Sequence, residues 1–373
     1  MSTLIKHTPL PDRPPPSSET GLVHWAKEHL FSSTTNSLLT LASFYLLFLL
    51  IPPLVNWALL SATLEGTDRS ACETNGGGAC WTFVKIRFNQ IMFGLYYGSH
   101  PEQIWRPVLA FFMLVGLVAP LFVERFSYKG LLAGFILLVF PFVSFALIHG
   151  AWLGLPVADT NEWGGFMLTF ILSIVGIIAA LPLGILLALG RRSELPVVRS
   201  FCVFFIELWR GTPLITVLFM ASVLLPLFFP SGVDLDKVLR ALIGITLFQS
   251  AYTAEAIRGG LQAIPKGQFE AADALGLAYW EKMVFIILPQ ALKISIPGIV
   301  NTFIELFKDT TLVSIIGLLD LLNMSQTAAQ SAEWRGYDTE AYIFAAFIFW
   351  IFCYGMSRYS QSLEAKLDRG HKN

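Results

Sequence analysis

Three ionisable residues lie close together in an otherwise apolar stretch of this 373-residue chain: Glu305, Lys308 and Asp309. Their spacing would place them on one face of a helix. Ionisable groups at membrane depth are costly unless they face other protein groups or a watery path. A solute with both an ammonium and a carboxylate needs both signs of charge nearby, so one interpretation is that this face lines the route of a zwitterion. The alternative is a local ion pair between Glu305 and Lys308.

Other polar residues could line the same route. Gln249, Ser250 and Tyr252 lie in an apolar run and could supply hydrogen bonds, and Glu255 and Arg258 follow at the end of that run.

A further group precedes another apolar run. Glu207 and Arg210 stand three residues apart and can pair on one helical face. Thr212 and Pro213 are typical of a helix N-terminus, with Thr212 as the cap and Pro213 at the first helical position. The candidate path residues are therefore Glu207, Arg210, Gln249, Ser250, Tyr252, Glu255, Glu305, Lys308 and Asp309.

Several classes of function are excluded by what the sequence lacks. It has no G-x-x-x-x-G-K-[ST] run to cradle ATP phosphates, and its six His residues are scattered, which argues against a metal site. A formal charge of −1 gives no basic field for nucleic acid. A membrane enzyme would need convergent catalytic groups, and none is evident.

The four Cys residues do not form a disulfide framework. Cys202 and Cys353 lie in apolar runs, as buried thiols would. Cys72 and Cys80 bracket a Gly-rich loop, which could close a disulfide ring if it faces an oxidising compartment, or could remain open.

The composition indicates an integral membrane protein, because 55% of residues are hydrophobic and only 14% are charged. A spanning helix needs roughly 20 mostly apolar residues. The sequence predicts about eight such spans, and the seventh is the least clear because it contains charges and Pro297. They are Ser37–Leu60, Trp105–Val123, Leu131–His149, Gly165–Gly190, Thr212–Pro230, Leu239–Glu255, Leu292–Leu322 and Glu340–Met356.

The distribution of basic residues predicts the orientation. If both termini are cytoplasmic, seventeen of the 25 Lys and Arg residues fall inside and seven outside, with Lys308 left within a span. This bias agrees with the positive-inside rule. No cleavable signal is visible, because the first apolar run begins far from Met1 and is too long for a signal core. The Pro-rich first residues indicate a disordered tail, followed by Gly21–Phe31 as either an interfacial helix or a plain connector.

One predicted inner loop, Arg258–Pro289, is long and well supplied with charge. It predicts two short helices. Pro265 precedes the first, and Gly276 is placed for a left-handed cap at its end. Ala271 and Ala272 would give that helix a small-residue face that another protein surface could approach closely.

This loop contains Glu270-Ala271-Ala272, then Gly276, then Ile286-Ile287-Leu288-Pro289. The pattern resembles the EAA loop of ABC importer permeases, which docks into the ATP-binding subunit. Glu207–Leu214 resembles the E-x-x-R-G-T-P-L stretch of the polar amino acid permeases of the histidine and glutamine type. Lys308–Leu312 resembles their K-D-T-S-L stretch, with Thr in place of Ser. The likeness extends over about residues 165–367, roughly half of the chain.

The first half departs from this pattern, because three spans precede the usual five. This extended form, with paired Cys in a Gly-rich outer loop, is similar to the membrane subunits of general L-amino acid importers.

The resemblance implies an all-α integral membrane protein whose last five spans form the permease core. It implies a bacterial inner-membrane location and a chain that is not itself an enzyme and binds no cofactor. ATP and Mg would bind in a partner. The expected partners are an ATP-binding subunit dimer, a second permease chain, identical or homologous, a periplasmic amino acid-binding protein and the lipid bilayer, with no nucleic acid. The expected docking residues are Glu270, Ala271, Ala272, Gly276, Leu288 and Pro289.

The expected organisation has four parts. They are a cytoplasmic tail with the interfacial helix (1–35), a three-helix extension with periplasmic loop 61–105 (36–160), the permease core with cytoplasmic loop 258–289 (161–367), and a cytoplasmic C-terminal tail (368–373). The alternative function is an ion-coupled secondary transporter of a polar solute, which would need no ATPase and gives no reason for this inner loop.

Overall fold

A computed structural model of the protein describes residues 21–74, 77–123, 126–230 and 235–369. The outer parts of the two predicted tails, 1–20 and 370–373, lie outside these residues. The described chain is helical and contains no β-sheet, only isolated bridges such as that between Gly165 and Asp320. The all-helical fold class is therefore confirmed. Two compact units are formed, Met1–Trp81 and Thr82–Asn373.

The first unit contains α1 (Leu22–His29), α2 (Thr34–Val55) and α3 (Ser70–Thr74). α2 continues as a π-helix over Asn56–Leu60, and together they make the first predicted span. The large apolar side chains of α2 are exposed along its length, as expected for a helix that is hydrophobic all round and is solvated by lipid.

The loop after this span is closed by a disulfide between Cys72 and Cys80, whose Cα atoms are 5.6 Å apart. The sequence leaves open whether Cys72 and Cys80 are bridged, and in this structure they are bridged. The Trp81 indole Nε1 donates to the Ala58 carbonyl (2.8 Å), which ties the end of the loop back to the end of the span. Within the loop, a hydrogen bond from the Ser70 hydroxyl lowers the pKa of the Asp68 carboxyl.

The later helices share one compact unit. They are α4 (Trp81–Phe93), α5 (Leu95–Ser99), α6 (Trp105–Val118), α7 (Lys129–Leu138), α8 (Phe140–His149), α9 (Gly165–Arg191), α10 (Pro196–Gly211), α11 (Leu214–Val223), α12 (Lys237–Ala263), α13 (Lys266–Ala274), α14 (Tyr279–Glu281), α15 (Leu288–Asp309), α16 (Leu321–Ala329) and α17 (Asp338–Arg369).

Residues 61–105, which the sequence analysis treats as one loop, contain α3, α4 and α5. α4 has a tertiary role, because the Phe83 ring packs against the rings of Trp334 and Tyr337 at 5.6 and 6.5 Å. Arg87 also pairs with Glu333 at 2.7 Å. α4 is not an apolar run, because its 13 residues include Lys85 and Arg87.

Within the described part of the chain, five helical segments are long and apolar enough to cross a membrane, or up to seven if each bent pair counts as one span. α12 has 27 residues and is long enough to cross but more polar, so it is not among them. The number of eight spans remains a prediction.

The predicted fifth span, Thr212–Pro230, is not one straight helix. α10 ends at Gly211, and α11 begins at Leu214 after a bend of 105°. Pro213 therefore precedes the helix as its N-cap residue instead of occupying its first position, and Thr212 bonds back to the Leu208 carbonyl at 2.8 Å. α11, with ten residues, is too short to cross a hydrocarbon core of about 30 Å.

The predicted seventh span also has different bounds. α15 begins at Leu288, and the helical path continues as a 3₁₀ segment to Ile316, where Gly317 takes a positive φ of 78°. Leu321 and Leu322 instead begin α16, which the sequence analysis does not predict. The buried Asp320 caps α16 by accepting from the backbone N–H of Asn323. An Asp immediately before an apolar run is the signal that could have indicated this helix.

α12 lies at the centre of the second unit and packs against α9, α10, α11 and α15. The approach of α12 to α15 is close at Gly260, where a side chain would overlap the Ala291 carbonyl. α6 and α8 pack on α9, since Leu114 and Phe140 share an apolar cluster with Phe170 and Ile174. The second and third predicted spans thus contribute to the same core as the later helices.

Candidate functional site

The residues around Lys308 line a pocket of 260 Å³ between α12 and α15. The helical spacing brings side chains of α12 opposite the charged face of α15. The lining residues are Phe248, Gln249, Tyr252, Glu305, Lys308 and Asp309.

The charged groups of this pocket do not form close ion pairs with one another. Among the ion pairs of the described residues, none joins Glu305, Lys308 or Asp309 to a partner within 4.0 Å. The local Glu305–Lys308 pair, which was the alternative interpretation, is therefore not formed. Glu305 and Lys308 are exposed and Asp309 is half-buried. The pocket offers two acceptor groups and one cationic donor.

Polar contacts of α12 fix the opposite wall. Gln249 is buried, and its Nε2 donates to the Thr302 carbonyl of α15 at 2.9 Å. The rings of Phe248 and Tyr252 are in contact, with centroids 4.8 Å apart and planes tilted by 35°. Ser250, by contrast, is fully buried, bonds to the Leu247 carbonyl of its own helix and does not line the pocket.

A charge cluster lies one turn further along α12 and centres on Glu255, whose side chain is 13% exposed. Arg258 donates to both of its carboxylate oxygens at 2.8–3.1 Å. Arg191 of α9 donates at 2.7 Å, and Arg210 of α10 lies at 3.4 Å. One carboxylate thus links the ends of α9 and α10 to α12. Among the described residues, no group of three His, Cys, Asp or Glu side chains is placed to hold a metal ion.

Glu207 completes this cluster by accepting a hydrogen bond from Arg191 at 3.1 Å. The sequence suggests that Glu207 can pair with Arg210, but each has another partner, since Glu207 pairs with Arg191 and Arg210 pairs with Glu255. Arg191 is the residue that sequence reasoning missed. Its position as the last residue of an apolar span, with Arg192 following, was the available signal.

Tyr252 connects the cluster with the pocket. The Arg210 guanidinium lies over the Tyr252 ring, 5.6 Å from its centroid, and Tyr252 also lines the pocket. Residues three apart are neighbours on a helix surface, so Gln249, Tyr252, Glu255 and Arg258 form a polar stripe that winds along α12. This stripe runs from the pocket towards the predicted docking loop.

The predicted docking loop, 258–289, overlaps the end of α12, which continues to Ala263, and α13 follows. The end of α13 agrees with the sequence prediction. Gly276 has a φ of 74°, its N–H donates to the Asp273 carbonyl, and the Leu277 N–H donates to the Ala272 carbonyl. These two bonds form a Schellman cap, which ends the helix with a glycine in the left-handed region.

The two alanines of the motif are not equivalent. Glu270, Ala271 and Gly276 are exposed, whereas Ala272 is 1% exposed and faces the interior of this chain. The prediction of a small-residue face made of both alanines is therefore wrong for Ala272, which is buried in a helix that packs on the segment Lys282–Ile287.

That segment is a π-helix that leads into α15. Pro289, at the second position of α15, has no N–H for a bond to the carbonyl four residues earlier. In membrane helices, local π adjustments are one way in which the backbone groups freed by a proline are satisfied. Pro289 is exposed and Leu288 is half-buried.

The exposed surface of the loop is more apolar than the motif suggests. Leu275 and Phe285 are 75% and 76% exposed, and Trp280 is also exposed. Arg192 holds the loop to α9, since its guanidinium lies 5.4 Å from the Phe269 ring centroid and donates to the Leu261 carbonyl.

Comparison with known proteins places the chain in a family. The family model for the inner membrane component of binding-protein-dependent transport systems matches residues 180–369. The inner membrane amino-acid ABC transporter permease protein YhdY of Escherichia coli (strain K12) is 51% identical over 98% of each chain. The glutamate/glutamine/aspartate/asparagine transport system permease protein BztC of Rhodobacter capsulatus is 39% identical over 100% of this chain and 99% of its own.

A solved crystal structure of an amino acid ABC transporter with histidines is 30% identical, with a TM-score of 0.48, and covers 54% of this chain and 92% of its own. The two full-length relatives and the family model together confirm the resemblance to ABC transporter permeases that the three motifs indicate. The chain belongs to the family of binding-protein-dependent transport system inner membrane components.

Proposed function

We propose that the chain is the permease subunit of an ATP-driven importer of L-amino acids in the bacterial inner membrane. The observation that carries the proposal is the pocket at Lys308. It lies beside two stretches that resemble amino acid permease motifs, and it presents unpaired groups of both signs. An α-amino acid is a zwitterion, so Glu305 and Asp309 suit its ammonium and Lys308 suits its carboxylate.

The polar stripe of α12 supports a path from this pocket to the cytoplasm. Tyr252 and Arg210 lie between the pocket and Glu255. Tyr252 lines the pocket and has the Arg210 guanidinium over its ring, so the solute would pass towards Glu255 when these two side chains separate. Ser250, which bonds within its own helix, would support the stripe and not contact the solute.

The exposed face of the loop would bind the ATP-binding subunit. Glu270, Ala271 and Gly276 supply the polar and small groups of this face, while Leu275 and Phe285 supply apolar contact area. Exposed apolar patches on a charged surface often mark protein interfaces. Ala272 would act indirectly, by letting α13 pack closely against the π-helix.

The remaining partners follow from the family. Two ATP-binding subunits, which bind ATP and Mg, would lie on the cytoplasmic side together with both termini of this chain. A second permease chain and a periplasmic amino acid-binding protein would complete the transporter. Closure of the ATPase pair would move α13 and tilt the last five spans, which alternates access to the pocket. A secondary transporter is not favoured, because the matching family is binding-protein-dependent.

Reconstitution tests this function. The chain would be placed in proteoliposomes with its ATP-binding subunit, its second permease chain and its binding protein, and each of the common L-amino acids would be supplied outside. We expect particular amino acids to stimulate ATP hydrolysis and to accumulate inside only when ATP is present. Accumulation driven by an ion gradient without ATP would contradict the proposal and favour the secondary transporter.

A further inference from the structure

We propose that a phospholipid molecule occupies a crevice between helices of the N-terminal extension, α6 and α8, and helices of the permease core, α9 and α12. The crevice consists of two adjoining chambers, here called the apolar chamber and the polar chamber. Neither includes the pocket at Lys308.

The apolar chamber has a volume of 330 Å³. Phe111 of α6 and Phe140 of α8 lie on one side of it, and Phe170 and Ile174 of α9 lie on the other. Its walls are almost entirely hydrocarbon, which suits an acyl chain and would exclude a charged solute.

The polar chamber is larger, at 940 Å³, and adjoins the apolar one. Pro141, Ser144, Ile148, Ile171 and Val175 line both chambers, so a flexible molecule that enters one side can extend into the other.

Charged and polar groups gather at the end of the polar chamber that lies between the C-terminus of α8 and the N-terminus of α12. Lys237 and Arg240 provide positive charge there. The nearby Asp236 carboxylate accepts from the Thr160 hydroxyl and caps α12. Asp159 also lines this chamber, so two acids accompany the two bases, and the Lys237 and Arg240 side chains are the groups that can contact a phosphodiester, for which Arg and Lys are the usual ligands.

Two buried donors on the wall of the polar chamber have no partner among the residues that the structure describes. They are Trp163 Nε1 and Arg240 Nε, while another nitrogen of Arg240 donates to the Ser222 carbonyl at 2.7 Å. Buried polar groups in folded proteins are nearly always hydrogen-bonded. A ligand oxygen in this chamber could accept hydrogen bonds from these two donors.

The residues at the mouth of the crevice indicate that the ligand enters from the bilayer and not from the aqueous phase. Phe142 and Leu239 on the wall of the polar chamber, and Phe112 on that of the apolar chamber, are exposed. Exposed apolar side chains on membrane helices face lipid. A ligand with a phosphate at one end and a hydrocarbon chain at the other matches both chambers at once, whereas a free anion would use only the polar one.

Photolabelling tests the site without altering the protein. The full chain in its assembled complex is placed in vesicles of phosphatidylethanolamine and phosphatidylglycerol that contain a phospholipid with a photoreactive group near the end of its acyl chain. After illumination, labelled peptides are identified by mass spectrometry. We expect saturable labelling on α6, α8 and α9 at chamber-lining positions such as Phe140 and Phe170. Labelling confined to outward positions such as Leu131 and Leu138 would overturn the proposal.

A pair of variants tests the site by blocking it. Ser144→Trp places a large ring where the two chambers meet, and Leu131→Trp makes the matched change on an exposed face of α7. Native mass spectrometry of the complex in detergent should show retained phospholipid in the parent and in Leu131→Trp, and its loss in Ser144→Trp. Equal retention in all three would overturn the proposal, as would protection of the parent chamber from photolabelling by inorganic phosphate or by an amino acid.

Discussion

At the scale of single residues, the pocket at Lys308 depends on groups that are held apart from one another. Glu305, Lys308 and Asp309 share one helix face without pairing, while the nearby arginines are engaged by Glu255 and Glu207. The separation matters because an acid that is already paired gains less from a ligand ammonium than an acid that is not.

Replacing Glu305 by Gln should lower transport. The variant keeps the shape of the side chain but loses one charge-assisted hydrogen bond, which is worth roughly 1.5–3 kcal/mol, or about 10- to 100-fold. The measurement is ATP-dependent uptake in proteoliposomes as a function of amino acid concentration. Glu333→Gln, an exposed acid that pairs with Arg87 away from the pocket, is the matched control and should transport normally. Unchanged uptake of every amino acid by Glu305→Gln would remove this residue from the path.

At the scale of elements, one carboxylate joins the ends of α9 and α10 to the body of α12. Glu255 of α12 contacts Arg191 of α9 and Arg210 of α10. Arg191 also reaches Glu207, so the cluster holds the break between α10 and α11 in place against α12.

Glu255→Gln should therefore destabilise the protein. The change leaves three guanidinium groups around a neutral amide. Removing one partner of a buried ion pair costs roughly 3–5 kcal/mol, and we expect about 2 kcal/mol because the arginines here are partly exposed. Thermal unfolding of the purified protein in detergent measures the effect. Glu207→Gln removes the exposed acid of the same cluster and should cost less than about 1 kcal/mol. Equal losses for the two variants would contradict the central position of Glu255.

The cap of α13 depends on Gly276. Gly276→Asp places a side chain in the left-handed region, which costs roughly 1–2 kcal/mol, and adds a charge on the proposed docking face. We expect normal amounts of the chain in the membrane but reduced co-purification of the ATP-binding subunit and reduced coupled transport.

Gly130→Asp is the control for this change, because Gly130 is exposed with open space around it at the start of α7, outside the docking loop. It should bind the ATP-binding subunit as the parent does. If Gly276→Asp also retained normal binding and transport, the docking assignment would be wrong.

At the scale of the whole molecule, the features that the sequence predicts best are those set by residues close together in the chain. The span at Gly165–Gly190 is nearly the observed α9, and the cap at Gly276 is as expected, because apolar run length and glycine placement are local signals. The break between α10 and α11 and the helix α16 are set by tertiary contacts and by a buried cap at Asp320, which an apolar-run search does not detect.

The candidate site follows the same division. The residues of the pocket and most of the cluster are found from polar types within apolar runs. The sequence does not predict which of these residues pair. Arg191 and Glu255 are far apart in sequence and meet only when α9 packs on α12. The burial of Ala272 is likewise invisible until α13 is placed on the π-helix.

The disulfide gives a test of the overall topology. Disulfides persist in oxidising compartments, so the Cys72–Cys80 bridge is expected only if its loop faces the periplasm. When the protein is denatured without reductant and alkylated, mass spectrometry should find two modified thiols, Cys202 and Cys353, and four after reduction. Alkylation of Cys72 and Cys80 in the unreduced protein would contradict both the bridge and this orientation of the loop.

The unbroken length of α12 has a mechanical consequence. Its 27 residues make a rod of about 40 Å, with pocket residues near its middle and α13 starting three residues beyond its end. A continuous helix has no soft joint at which a displacement could be absorbed. It would move as a rigid body, so a displacement of the docking loop and a change in the pocket would occur together.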